Sequence, residues 1–215
     1  MTISVCMIVK NEEKNLAGCL DCLKAIADEI IIVDTGSTDR TKEIAEQYTD
    51  KVYDFEWIDD FSAARNFAFS KATMDYIYSA DADERLDKEN QAKFLQLKEI
   101  LLPEIEIVQM YYCNQLENNT IYSFDKEYRP KLYKRLREFV WREKIHEAVT
   151  LSPIVYDSDI EIIHKPSAVA DPDKGIDHTG YPAAGDGHDA IGIDSVGIEL
   201  RHIGMLHNQV LDQTR

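Results

Sequence analysis

Glu29-Ile30-Ile31-Ile32-Val33-Asp34 sets four branched apolar residues in a row between two carboxylates. A short run with no polar alternation reads as a strand buried on both faces, as in a parallel sheet covered by helices on both sides. Outward from it, Ile3 to Val9 reads as another buried strand. Between them, Glu12 to Ile26 carries Leu16, Leu20 and Leu23, with Ala27 following, at helical spacing. Downstream, Ser37-Thr38-Asp39 caps a helix expected over Arg40 to Tyr48. Lys51 to Phe55 is a third strand, Phe61 to Lys71 a helix and Met74 to Tyr78 a fourth strand. This alternation predicts an α/β fold with a mostly parallel central sheet flanked by helices. Ligands of open α/β sheets sit at the carboxyl ends of the strands. Asn11, Asp34 and Asp81 each lie at or just past such an end, so they are expected to converge on one crevice.

After Leu86 the pattern changes. Asp87 to Leu101 reads as a helix with Phe94, Leu97 and Leu101 on one face. Glu104 to Cys113 and Asn119 to Phe124 read as strands around a Glu117-Asn118-Asn119 turn, and Arg129 to Arg137 as a further strand. This half is expected to be mixed or antiparallel. Residues 165–192 are rich in Gly, Asp and Pro and read as a loop or flexible segment. The expected organisation is one domain over 1–164, with halves of 1–86 and 87–164, and a lid or C-terminal extension over 165–215.

The chain has 215 residues, 44% of them hydrophobic, enough for a core in a single domain. Its 40 acidic and 24 basic residues leave a formal charge of -16. That balance argues against nucleic-acid binding and against plain electrostatic docking on anionic lipid. No stretch approaches the length of a membrane span, which leaves peripheral membrane contact as the form open to it. The opening apolar run ends at Val9 and meets Lys10-Asn11-Glu12-Glu13, the wrong flank for a signal peptide. Cys19-x-x-Cys22 lies in a helical pattern with no second pair at metal-site spacing. Reduced thiols and a cytoplasmic setting are the expectation.

The chemistry concentrates in Ser79-Ala80-Asp81-Ala82-Asp83-Glu84. Two carboxylates one residue apart, just past a strand, can aim at one hard cation. Mg²⁺ or Mn²⁺ held this way keeps positions for substrate phosphates. The alternative is a solvated acidic turn capping a helix from near Leu86. A basic run, Lys126, Arg129, Lys131, Lys134, Arg135, Arg137, Arg142 and Lys144, reads either as a site for a diphosphate or anionic acceptor or as a solvated strand face. Trp141 within it reads as a sugar-stacking ring or as core.

Four segments together resemble the ordered motifs of family 2 glycosyltransferases. They are Ile8-Val9-Lys10-Asn11-Glu12-Glu13, Val33-Asp34-Thr35-Gly36-Ser37-Thr38-Asp39-Arg40-Thr41, Asp60-Phe61-Ser62-Ala63-Ala64-Arg65-Asn66 and Ala80-Asp81-Ala82-Asp83-Glu84. The subgroup they are most similar to includes lipopolysaccharide-core glucosyltransferases and peptide S-glycosyltransferases. The resemblance implies a GT-A fold, a divalent metal (Mn²⁺ or Mg²⁺), inversion at the sugar and a nucleotide-sugar donor, with a UDP sugar expected. The acceptor would be a saccharide, a lipid-linked sugar or a peptide. The resemblance also implies that Val9, Asn11, Glu13, Asp34, Asp39, Arg65, Asn66 and Asp81 bind the nucleotide sugar. Asp81 and Asp83 would face the metal, with His164 or His178 as a third ligand. In Ile145-His146-Glu147, Glu147 would be the general base and His146 would orient it or bind the acceptor, with Asp157 and Asp159 as weaker base candidates. Two other readings are a sugar nucleotidyltransferase and a non-catalytic sugar- or nucleotide-binding module of the same fold. The first wants a Gly-rich basic loop near the first strand, where this chain has Lys10-Asn11-Glu12-Glu13.

Overall fold

The computed structural model describes residues 1–114, 127–137, 141–142, 148–149 and 153–165. Its strands are β1 Ile3–Val9, β2 Glu29–Asp34, β3 Val52–Asp54, β4 Tyr76–Ala80, β5 Glu84–Arg85, β6 Ile107–Asn114, β7 Glu127–Lys134, β8 Trp141–Arg142, β9 Ala148–Val149 and β10 Val155–His164. Its helices are α1 Leu16–Leu23, α2 Thr41–Ala45, α3 Phe61–Lys71 and α4 Lys88–Ile100, and a 3₁₀ turn covers Arg135–Arg137. One eight-stranded sheet runs in the order β3-β2-β1-β4-β7-β6-β10-β5. β3, β2, β1 and β4 are mutually parallel. β7 then runs antiparallel to both β4 and β6, β6 is parallel to β10, and β5 is antiparallel to β10. A parallel first half thus joins a mixed second half in a single α/β sheet. β8 and β9 pair antiparallel by themselves.

The apolar run in β2 behaves as its lack of alternation requires. Ile32 joins a core with Val5, Met7 and Tyr78 of neighbouring strands and with Leu16, Leu20 and Phe94 of α1 and α4. Ile31 and Val33 join a second core with Cys6, Ile77 and Tyr133 and with Ala68 and Phe69 of α3. Helices therefore cover both faces. The chain leaves β1 for β2 and β3 on one side and returns to β4 on the other, so the strand order reverses at β1. Crevices at such reversals are where open α/β sheets bind ligands.

Several elements differ from the sequence reading, each for a local reason. α1 starts at Leu16 because Asn11 adopts a left-handed φ of 55° and Glu12 O accepts from both Asn15 N and Leu16 N in a preceding turn. α2 is one short turn rather than the span to Tyr48. β4 continues two residues further, since Ser79 and Ala80 pair with Cys6 and Met7. Glu84 and Arg85 form a strand instead of leading into a helix, and α4 starts at Lys88, capped by Asp87 accepting from Asn90 N at 2.9 Å. α3 matches the reading, capped by Asp60 accepting from Ala63 N at 3.0 Å. The expected strand over Asn119 to Phe124 and nearly all of the 165–215 segment lie outside the described residues. Among those described, no helix is long and apolar enough to cross a membrane.

Candidate functional site

The carboxyl ends of β1 and β2 are laced together by polar side chains. Asn11 N donates to Ser37 Oγ at 2.9 Å, and Thr38 N donates to Asn11 Oδ1 at 2.8 Å. Asn is among the few residue types that accept a left-handed φ readily. Glu13 N donates to Asp39 Oδ2 at 3.2 Å, and Arg40 N to Glu13 Oε2 at 3.2 Å. Asp39 Oδ1 also accepts from Thr41 N at 2.9 Å just ahead of α2, whose N-cap position is Arg40 rather than a residue of Ser37-Thr38-Asp39. Burial opposes ionisation of Asp39, but these hydrogen bonds outweigh it and hold the carboxyl below its usual range. Val9 lies in the core with its carbonyl accepting from Thr35 N at 2.9 Å.

Asp34 closes β2 and is 4% exposed. Its Oδ2 accepts from Gly36 N at 3.1 Å and Ser37 N at 2.9 Å, in a turn that needs Gly36 at φ 97°. Its Oδ1 is buried with no partner.

The second group of residues hangs from β4. Past Ala80 the chain turns tightly, with Glu84 N donating to Asp81 O at 3.1 Å, and enters β5. β5 pairs with the end of β10, placing Glu84 opposite His164. His164 Nε2 thereby lies 3.0 Å from Asp83 Oδ2, and Lys165 N donates to Asp83 O at 2.9 Å. Asp83 Oδ1 is buried without a partner. Asp83 and Glu84 are each 2% exposed, which rules out the solvated acidic turn. Arg85 clamps the turn from behind, donating to Ala82 O, Glu84 O and Asn15 O at 3.1, 2.8 and 3.0 Å. Its guanidinium fills the space over Gly18, where a Cβ would stand 2.9 Å from Nη2. Cys19 Sγ donates to Asp81 O at 3.3 Å.

Two cations attend the turn. Arg65 Nη1 donates to Ser79 Oγ at 2.6 Å. Lys131, 5% exposed, donates to Glu84 Oε1 and to Ser79 O at 3.2 Å, and stands 3.5 Å from Asp81 Oδ2. Burial opposes the charge on Asp81, but Lys131 and then Arg65 hold it below the usual carboxylate range. Burial pushes Glu84 up to about 7 against the pull of Lys131, with Asp81 adding to the rise. Tyr112 connects the parts: its ring lies 5.2 Å from that of His164 and carries the Arg129 guanidinium 3.8 Å from its centre.

A hard divalent cation fits the donors present. Asp83 offers a buried carboxylate oxygen without a partner, and His164 Nε2 lies against its other oxygen. Among the described residues no group of three or more His, Cys, Asp and Glu side chains is placed to hold a metal ion. Mg²⁺ is usually held by one or two carboxylates together with substrate phosphates and water, so a small protein donor set does not exclude it.

Of the remaining sequence-derived candidates, Asn66 is half-buried on α3 beside Arg65. Glu147, His146 and His178 lie outside the described residues. Asp157 and Asp159 are exposed on β10, and strand rise puts Asp157 roughly 20 Å from His164. The described members of the basic run do not form one patch. Lys134, Arg135 and Arg137 bind Pro103 O, Met74 O and Glu106 at the other end of the sheet, while Arg129 and Lys131 reach the site. The sequence reading placed Lys131 in that run without singling it out, and it did not include Tyr112 or Arg85. Burial of a lysine among carboxylates leaves no local pattern, although the Pro130 beside it does flag an irregular strand.

Comparison with known proteins gives a consistent result. The model of Glycosyl transferase family 2 matches residues 4–155. The prophage-derived glycosyltransferase SunS of Bacillus subtilis is 39% identical over 102 residues, 46% of this chain and 24% of that one. An uncharacterized glycosyltransferase of Rickettsia typhi is 30% identical over 169 residues, 76% of this chain and 56% of the other. The chain thus spans between a quarter and about half of the length of these curated relatives. Among solved structures, S. aureus TarS 1-349 superposes with a TM-score of 0.56 at 18% identity, covering 77% of this chain and 60% of that chain, a likeness of fold.

Proposed function

Because the chain belongs to glycosyl transferase family 2, we propose that it transfers a sugar from a nucleoside-diphosphate sugar, a UDP sugar, to a saccharide, lipid-linked sugar or peptide, with inversion. The observation that carries this reading is the pair of unpartnered buried carboxylate oxygens, Asp34 Oδ1 at the end of β2 and Asp83 Oδ1 just past β4, the two strands that flank β1. An unsatisfied buried acceptor costs about 1–3 kcal/mol, a cost that a bound ligand or an ordered water offsets. Asp34 is suited to accept an N–H of the nucleobase. Asp83, with His164 and Asp81, is suited to hold Mn²⁺ or Mg²⁺. The fold neighbour S. aureus TarS 1-349 is known in complex with UDP.

In this mechanism Asn11, Glu13 and Asp39 keep the nucleotide-side loops in place, and Val9 and Thr35 fix the strand end beneath them. Arg65 and Asn66 stand on α3 beside the diphosphate position, with Arg65 supplying positive charge. The bound cation would act as a Lewis acid on the departing diphosphate. Glu147 is assigned the base that takes the proton from the attacking hydroxyl or thiol, with His146 orienting it, on its position in the family-like Ile145-His146-Glu147 segment. We place the reaction in the cytoplasm, which keeps thiols such as the free Cys6, Cys19, Cys22 and Cys113 reduced.

Calorimetry of UDP with Mn²⁺, with Mg²⁺ and with chelator tests the reading. UDP is expected to bind in the presence of either cation and to lose most of its affinity on chelation. Equal binding under all three conditions would remove the metal-bridged diphosphate from the mechanism.

A further inference from the structure

Lys131 occupies a position that a regular strand would not give it. β6 and β7 pair in register from Ile107↔Tyr133 to Val108↔Leu132, and the next pair is Gln109↔Pro130. Lys131 is left as the extra residue of a β-bulge. Pro130 suits that place because it has no N–H to give the ladder. In regular alternation Lys131 would face away from Leu132, which packs in the α1/α4 core. The bulge instead brings Lys131 to the same side as Leu132, where the Asp81–Glu84 turn lies. Bulges are a recognised means of re-aiming a side chain beside an active site.

The Lys131 ammonium faces three acceptors at the end of β4 and in the turn: Glu84 Oε1, Ser79 O at 3.2 Å and Asp81 Oδ2 at 3.5 Å. A buried lysine ordinarily costs a great deal of solvation, so its retention here needs a partner of matching charge. The turn carries three carboxylates, Asp81, Asp83 and Glu84; Lys131 engages Asp81 and Glu84, and His164 lies against Asp83.

We propose that Lys131 is a positioning residue of the donor site: a countercharge set into a β-bulge that fixes the Asp81–Glu84 turn and limits its negative charge, so that a divalent cation and a nucleoside diphosphate bind together. This rests on the donor-site reading above. Without Lys131 the turn would attract a bare cation at least as well as before, yet repel the diphosphate that must share the site. A residue that merely supported the fold would weaken both.

The test is calorimetry of Mn²⁺ alone and of UDP at saturating Mn²⁺, on wild-type protein, Lys131→Met and the double variant Lys131→Met/Glu84→Gln. Binding of both ligands by the wild type establishes the donor site, and its failure would overturn that site before any variant is compared. Lys131→Met is expected to bind Mn²⁺ as tightly or more tightly and UDP about tenfold or more weakly, the scale of one uncompensated charge a few ångströms away. The double variant, which restores the formal charge, is expected to recover UDP affinity to within about threefold of wild type. Unchanged UDP affinity in Lys131→Met would overturn the proposal. So would equal loss in both variants, since a direct phosphate contact is not restored by neutralising Glu84. Should Lys131→Met fail to fold, the double variant alone decides: wild-type UDP affinity supports the countercharge, and loss of it overturns it.

Discussion

The two ends of the parallel half-sheet treat their carboxylates in opposite ways. At the amino-terminal end, Glu29 accepts from Ser4 Oγ, Lys51 Nζ, Thr73 N and Thr73 Oγ1. Beside it, Asp28 accepts from Ile3 N and Lys98 Nζ, and Asp75 from Thr2 N and Thr2 Oγ1. Those acids tie strands to loops. At the carboxyl-terminal end, Asp34 and Asp83 each keep one oxygen buried and unpartnered. The only other such side-chain atom among the described residues is the hydroxyl of Tyr78, which is in β4, the strand that leads into the Asp81–Glu84 turn. A domain whose stability is small compared with its opposing terms tolerates such costs at few places. Their grouping at one end sets the clasp that holds the sheet apart from the end where the donor site is proposed.

The sharpest way to break this comparison is Asp83→Asn. Asparagine keeps an oxygen toward His164 but removes the charge that a cation needs. Loss of Lewis-acid assistance worth several kcal/mol should lower sugar transfer by about 10³-fold. The melting temperature without ligand should change little, because the amide oxygen can still face His164 and one buried charge no longer has to be desolvated. A variant that melts markedly lower and still turns over would place Asp83 with the clasp instead.

Asp34→Asn tests the same contrast on the nucleotide side with a smaller effect. A hydrogen bond to a charged group is worth about 1.5–3 kcal/mol, so UDP affinity should fall about 10–100-fold. Mn²⁺ binding measured without nucleotide should be unaffected. Equal weakening of both ligands would mean that Asp34 acts through the shape of the site rather than through the base.

How much of this was legible depended on how local each cause was. The alternation of buried strands and helices was written in runs such as Ile30–Val33, and the Asp60 cap fixed the start of α3. Asp34 and Asp81 stood out because strand ends in such sheets collect ligands. The approach of His164 to Asp83 required the pairing of β5 with β10, two segments eighty positions apart, and only the family resemblance had raised His164 at all. Lys131 stayed hidden in a run of like charges because periodicity assumes regular pairing. The bulge breaks that assumption at one residue, and the antiparallel course of β7 carries Lys134, Arg135 and Arg137 to the opposite end.

The smallest expected effect concerns the clasp and comes with a pH signature. Burial works against the charge on Glu29, but the hydrogen bonds from Lys51, Ser4 and Thr73 outweigh it and lower its pKa to about 2. The unfolded chain holds this proton up to about pH 4.3. Between those values the unfolded state binds more protons than the folded one, so stability falls as pH falls. The contribution of Glu29 is therefore complete above about pH 5 and is lost as pH drops toward about 2. Glu29→Gln keeps the shape but weakens the contacts with Lys51, Ser4 and Thr73, and should cost about 1–3 kcal/mol at neutral pH. Turnover per folded molecule should not change, since Glu29 lies at the far end of the sheet from the donor site. Urea unfolding at a series of pH values should show the two proteins converging below about pH 4, as the wild type loses what the variant never had. Parallel curves across that range would mean that hydrogen bonding alone, and not the carboxylate charge, closes the amino-terminal end.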